Sequence, residues 1–212
     1  ADFKAPEGGL DLSQEVTAAK PEGMTAITNA RIVTMEGDEV VEGGTILIDG
    51  NRIQALGADV AVPEGATVID ASGKTILPGF IDIHAHGPYG SGEIVPQQNW
   101  SQMGHLAFGV TTTHDPSSRA TLVFAASEYQ QAGKIVAPRT FSTAEIVYGA
   151  KSSYWAPVDE INDALAHARR LKAQGAISIK NYNQPRREQR QRAGESGSGG
   201  AESLKKMEPC AL

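Results

Sequence analysis

Histidine at positions 84 and 86, within Phe80-Ile-Asp-Ile-His-Ala-His86, is the pairing in this chain with the most chemistry in it. Side chains alternate across an extended strand, so Phe80, Asp82, His84 and His86 share one face and Ile81, Ile83 and Ala85 the other. The second set is apolar and suits packing beneath helices. The first would place a carboxylate and two imidazoles in a barrel interior, where each unpaired polar group costs several kcal/mol. Two arrangements compensate that cost. Either the imidazoles are satisfied by hydrogen bonds without a metal, or a divalent ion with Zn–N bonds of about 2.0–2.1 Å joins them. The Pro78-Gly79 turn before the strand and the apolar rear face favour the ion.

Other residues could complete or surround such a site. Lys180 closes Ile177-Ser-Ile-Lys180 and, from its neighbours alone, reads as a lysine reaching water from a strand end. His114 ends Val110-Thr-Thr-Thr-His114, near the proposed site, and is expected to contact substrate or to support the ligands from behind. Asp115 reads only as the turn or cap residue of Asp115-Pro116. His105 and His167 fall inside helical patterns and are expected at the surface or in helix packing. Arg186 and Arg187 open the run Arg186-Arg-Glu-Gln-Arg-Gln-Arg192. That run is either a solvated helix face or, because a helix dipole disfavours cations in a first turn without an anion, a place for a substrate carboxylate or internal acid. Core packing is the default for Tyr148, Tyr154, Trp155 and Tyr182, with pocket lining as the alternative.

The elements that must position these residues fall into two textures. From Thr25 to Ile76, short β-rich runs (Ala26 to Met35, Thr45 to Ile48, Arg52 to Leu56, Thr67 to Ile69) alternate with turn residues. Asp49-Gly50-Asn51 supplies residues tolerant of positive φ and predicts a tight hairpin. After Leu77-Pro78-Gly79 the pattern becomes strand, helix, strand, which implies parallel strands with helical crossovers. Strands are expected at Phe80 to His86, Val110 to His114, Arg139 to Ile146 and Ala176 to Lys180. The intervening helices are expected at Trp100 to Phe108, Arg119 to Ala132 and Pro157 to Gln174. In the last, Ile161, Leu165, Ala168 and Leu171 line one face and Gly175 is the stop. A complete eight-stranded α/β barrel needs about 250 residues, so Pro78 to Arg192 has room for about half of one.

Leu77-Pro-Gly-Phe-Ile-Asp-Ile-His-Ala-His86 resembles the first-strand signature of the metal-dependent amidohydrolase superfamily, whose members place both histidines on one metal. Gly109-Val-Thr-Thr-Thr113 resembles the family's second strand, and the preceding β-rich segment its small composite sandwich. The resemblance implies an α/β fold: a partial (β/α)8 barrel of about four strands behind a small β-sandwich-like domain. It also implies a hydrolase of carbon–nitrogen bonds (amide, cyclic amide or imide) acting through a metal-activated water. One or two divalent ions, zinc first among them, would be held by His84, His86 and Lys180. Lys180 matches a lysine that many members carboxylate; burial beside cations disfavours the ammonium form and frees the amine to take up carbon dioxide. Asp82, His114, Arg186 and Arg187 would lie around the ligands or substrate. The family's histidines on strands five and six and its strand-eight aspartate, the general base, have no counterpart here. The rival reading is therefore a catalytically inactive half-barrel that only associates.

Composition narrows the partners. Lys and Arg number 19 against 25 Asp and Glu, a formal charge of −6, with 40% hydrophobic and 6% aromatic residues, which is ordinary for a globular protein. Collagen-like, disulfide-stapled and wholly disordered chains are excluded. The acidity argues against nucleic acid, and no window approaches the roughly 18 apolar residues of a membrane helix. A small-molecule substrate is expected, together with a second copy of the chain, because an open parallel sheet edge invites self-pairing. Ala1 to Gly23 reads as a linker similar to that of amidohydrolases fused behind a β-propeller, which leans toward an exported parent. The β-rich domain follows over 24–77 and the half-barrel over 78–192. The Gly- and Ser-rich 193–212 reads as a flexible tail or an out-of-frame translation; Cys210, within it, has no internal disulfide partner.

Overall fold

A computed structural model describes residues 8, 15, 17–92, 94–148, 158–182, 187–188 and 191. The chain divides into two compact units, with the division between Phe80 and Ile81.

The first unit is one sheet. Strands β1 (Met24–Val33), β2 (Val40–Asp49) and β3 (Arg52–Gly57) are antiparallel neighbours, while β4 (Thr67–Asp70) and β5 (Thr75–Ile76) run parallel to β1. The expected hairpin is present. Asp49 pairs with Arg52, and Gly50 takes φ 57°, which a residue with a Cβ enters only at a cost. Strand β1 is bulged between Ile27 and Ala30, where Asn29 adopts φ 62° and donates from Nδ2 to Asp70 Oδ1 at 2.9 Å. Ala30, Ile32, Ile46 and Ala71 form the buried centre of the unit.

The second unit carries β6 (Phe80–Asp82), α1 (Trp100–Ala107), β7 (Val110–Asp115), α2 (Ala120–Gln131), β8 (Arg139–Ser142), β9 (Val147–Tyr148), α3 (Ile161–Ala173) and β10 (Asn181–Tyr182). Its three-stranded sheet is ordered β6-β7-β8 with β7 and β8 parallel, and β9 pairs in parallel with β10. The unit is mixed α/β, with a helix between β6 and β7, between β7 and β8, and between β9 and β10. Asn99 caps α1 by accepting from the Ser101 and Gln102 N–H groups. Asp163 in the first turn of α3 accepts from the Glu160 N–H at 2.9 Å and the Asp159 N–H at 3.0 Å, which hold its carboxyl below the ordinary carboxylate range. Val123, Leu122 and Ala126 pack with Tyr89 and Ile135; Leu171, Ala164 and Val158 pack with Val147 and Ala176.

Several boundaries differ from the sequence reading. The first strand ends at Asp82 rather than His86, because Asp82 Oδ1 accepts the His84 N–H at 2.9 Å and turns the chain. Ile81 and Ile83 are 66% and 75% exposed, so the expected apolar rear is not packed beneath helices. Ala176 to Lys180 is not a strand; the pairing comes one residue later, at β10. In α3 the deepest residues are Ala164 and Leu171, while Ile161 is exposed. No helix among the described residues is long and apolar enough to cross a membrane.

Candidate metal-binding site

The turn that Asp82 makes places His84 and His86 beyond the end of β6, with ring centroids 5.1 Å apart and planes at 80°. Two imidazoles bound to one ion through single nitrogens at about 2.0–2.1 Å, with a tetrahedral angle between them, have centroids roughly 5 Å apart. The centroid separation of the pair matches that spacing. Among the described residues, no third His, Cys, Asp or Glu joins them in a cluster.

The end of β7 is stitched to this turn. The Ala85 N–H donates to the His114 carbonyl at 3.1 Å. Asp115, the last residue of β7, is 1% exposed and accepts from His86 Nδ1 at 3.0 Å, the Ser117 N–H at 2.9 Å and the Gly87 N–H at 3.3 Å. Tyr89 also hydrogen-bonds to this carboxylate. Burial, and then the negative charge of Asp115, push the Tyr89 phenol well above its ordinary value, so it stays protonated and donates. Four donors on one buried carboxylate offset its desolvation. A Cβ at Gly87 would lie 2.8 Å from Gln102 Nε2, so the Gln102 amide would have to move to admit one.

His114 is held at both ring nitrogens. Nδ1 lies 3.3 Å from the Ile83 carbonyl, which can only accept, and Nε2 lies 2.7 Å from Ser178 Oγ. A neutral ring with its proton on Nδ1 must accept at Nε2, so the Ser178 hydroxyl donates. His114 thus ties the turn before His84 to the segment that ends in Lys180. Lys180 is half-buried, and its carbonyl accepts the Val147 N–H at 2.9 Å. A cavity of about 340 Å³ opens nearby, lined among others by Pro88, Tyr89, Ser117, Arg119 and Glu145.

The remaining candidates separate from this group. Asp82 is spent on the turn. His105 Nδ1 bonds to the Ser101 carbonyl within α1 at 3.0 Å. Arg187 is helical and exposed, whereas Arg186, Tyr154, Trp155 and the expected tail lie outside the described residues. Sequence reasoning missed two residues of the site. From sequence Asp115 reads as a turn or cap residue, and Tyr89 carries no signal of its own. The signal available for Asp115 was its place next to His114 at a strand end, directly before Pro116.

No family model matches the chain. A dihydroorotase from Mycobacterium tuberculosis is 45% identical over 51 residues, 24% of this chain and 11% of that protein. An imidazolonepropionase from Vibrio cholerae is 39% identical over 67 residues, 30% of this chain and 17% of that protein. The chain thus matches a small part of the length of these relatives. Among solved structures, a Xaa-Pro dipeptidase with bound methionine in its active site aligns with TM-score 0.61 and 20% identity over 84% of this chain and 55% of its own. Phenylurea hydrolase B aligns with TM-score 0.62 and 18% identity over 84% of this chain and 54% of its own. Over those stretches the chain is similar to the dihydroorotase and the imidazolonepropionase, and its fold is similar to that of the two solved structures.

Proposed function

We propose that this chain is part of a metal-dependent hydrolase that cleaves carbon–nitrogen bonds of amides, cyclic amides or imides, and that β6, β7 and β8 are the opening strands of its eight-stranded barrel. The observation that carries the reading is the His84–His86 pair at 5.1 Å, set at the end of a strand with one ring tied from behind. Active sites in such barrels lie at the C-terminal ends of the strands. His84 and His86 would hold the ion, with Lys180, carboxylated, as a further oxygen ligand. When bound, such an ion supplies a water acidified toward neutrality and polarises a carbonyl. Asp115 and His114 hold the surrounding backbone, and the cavity beside Tyr89 offers room for a small substrate.

The exposed Phe80, Ile81 and Ile83 favour a second reading, in which the chain by itself only associates. Elemental mass spectrometry on tag-free protein, dialysed against metal-free buffer, separates the two. About one or two ions per chain, falling when His84 or His86 becomes alanine, is the expected result and would justify assays on cyclic amides. Protein that retains no metal and sediments as oligomers would leave only the associating fragment.

A further inference from the structure

Asp115, 1% exposed, is the most buried carboxyl near the histidines among the described residues. We propose that Asp115 is a positioning residue that selects the nitrogen His86 presents. A carboxylate can only accept, so its contact with Nδ1 at 3.0 Å draws the ring proton to that atom and leaves the lone pair on Nε2, facing away from Asp115. The carboxylate cannot turn aside. Its other contacts are the Ser117 N–H at 2.9 Å, the Gly87 N–H at 3.3 Å and the Tyr89 hydroxyl, and the group is 1% exposed. His86, by contrast, is 53% exposed at its side chain, so the half of the ring away from Asp115 is open to an incoming ligand. A buried, immobile acceptor behind an accessible imidazole is the arrangement that orients metal-binding histidines and raises their basicity.

The inference deepens the proposed function and rests on it for its purpose, while its geometry stands without a metal. The test therefore begins with the metal-free chain. Long-range proton–nitrogen spectra of the His86 ring, recorded at a pH where the ring is neutral, are expected to show the Nδ1–H tautomer, although an unrestrained imidazole prefers Nε2–H. Asp115→Ala should shift the ring toward Nε2–H. Asp115→Asn, which keeps one acceptor oxygen, should restore Nδ1–H, a rescue that general loosening of the fold would not produce. An Nε2–H ring in the unaltered chain, or an Nδ1–H ring that persists in folded Asp115→Ala, would overturn the proposal. Should Asp115→Ala not fold, the unaltered chain's tautomer decides alone.

Zinc titration then reads the consequence. Asp115→Ala should weaken zinc binding about 10–100-fold. A chain whose His86 is Nδ1–H but which takes up no zinc would sink the hydrolase reading and not the assignment of Asp115.

Discussion

The two units bury different things. In the β-rich unit the centre is Ala30, Ile32, Ile46 and Ala71, and Thr45 is its buried polar residue among those described. In the strand–helix unit, Thr113, Asp115, Thr140, Ser142 and Thr143 are buried along and just beyond β7 and β8. Thr113 Oγ1 and Thr140 Oγ1 lie 3.1 Å apart, and Ser127 Oγ donates to the Thr140 carbonyl at 2.9 Å. Apolar burial needs no partner, whereas each buried hydroxyl or carboxyl must find one. The first unit therefore reads as scaffold. The second buries hydroxyls along β7 and β8 and, at the end of β7, the Asp115 carboxylate, which lies 3.0 Å from His86 Nδ1.

The sharpest way to test that contrast is to damage one unit and watch the other. Leu171→Ala removes a side chain that is 1% exposed and should cost about 2–5 kcal/mol in chemical denaturation. Amide exchange should rise around α3 and β9 while the β1–β2 amides keep their protection. Equal loss in both would mean one cooperative unit instead of two.

A smaller effect is expected from Ser178→Ala, which takes the hydroxyl from His114 Nε2 and should cost about 1 kcal/mol. Faster exchange should be confined to the neighbourhood of Ile83 and Ile177–Lys180. If exchange there is unchanged, His114 is not the tie between those segments.

The smallest effect separates the units by acid. Asp70 is held below its ordinary 3.8 first by the Ser72 hydroxyl, then by the Asn29 amide and the Ser72 N–H; Asp163 is held below 3.8 by the Glu160 and Asp159 N–H groups. Both folded values are depressed, so each contribution is whole above the unfolded value and drains as pH falls through the folded one. Asn29→Ala should weaken the acid sensitivity of the β-rich unit and leave α3 untouched, as seen by exchange below about pH 4. A change in α3 would break the separation.

The hairpin at Gly50 was legible because turn chemistry is local: Asp49-Gly50-Asn51 carries its own geometry. The histidine pair is legible from spacing, although the strand ends at Asp82, four residues short of what alternation predicts. Alternation alone does not reveal that Asp82 would spend its carboxylate on the His84 N–H. Asp115 was illegible for a different reason. Its partner His86 lies 29 residues away, and a carboxylate before a proline looks like a turn until that distance is closed. The strand expected at Ala176 to Lys180 failed similarly: Ala176 and Ile179 pack while Ile177 is exposed, and the registered pairs with β9 begin at Asn181.

The clasp made by His114 also bears on the order of folding. Its bonds span 31 residues to Ile83 and 64 to Ser178, while the Gly50 hairpin closes between neighbours. Long loops lose more entropy on closure and are rewarded only when both ends arrive. The hairpin can therefore form from the nascent chain as soon as β3 is made. The clasp must wait until Ser178 has been synthesised, so the environment of the two histidines matures late.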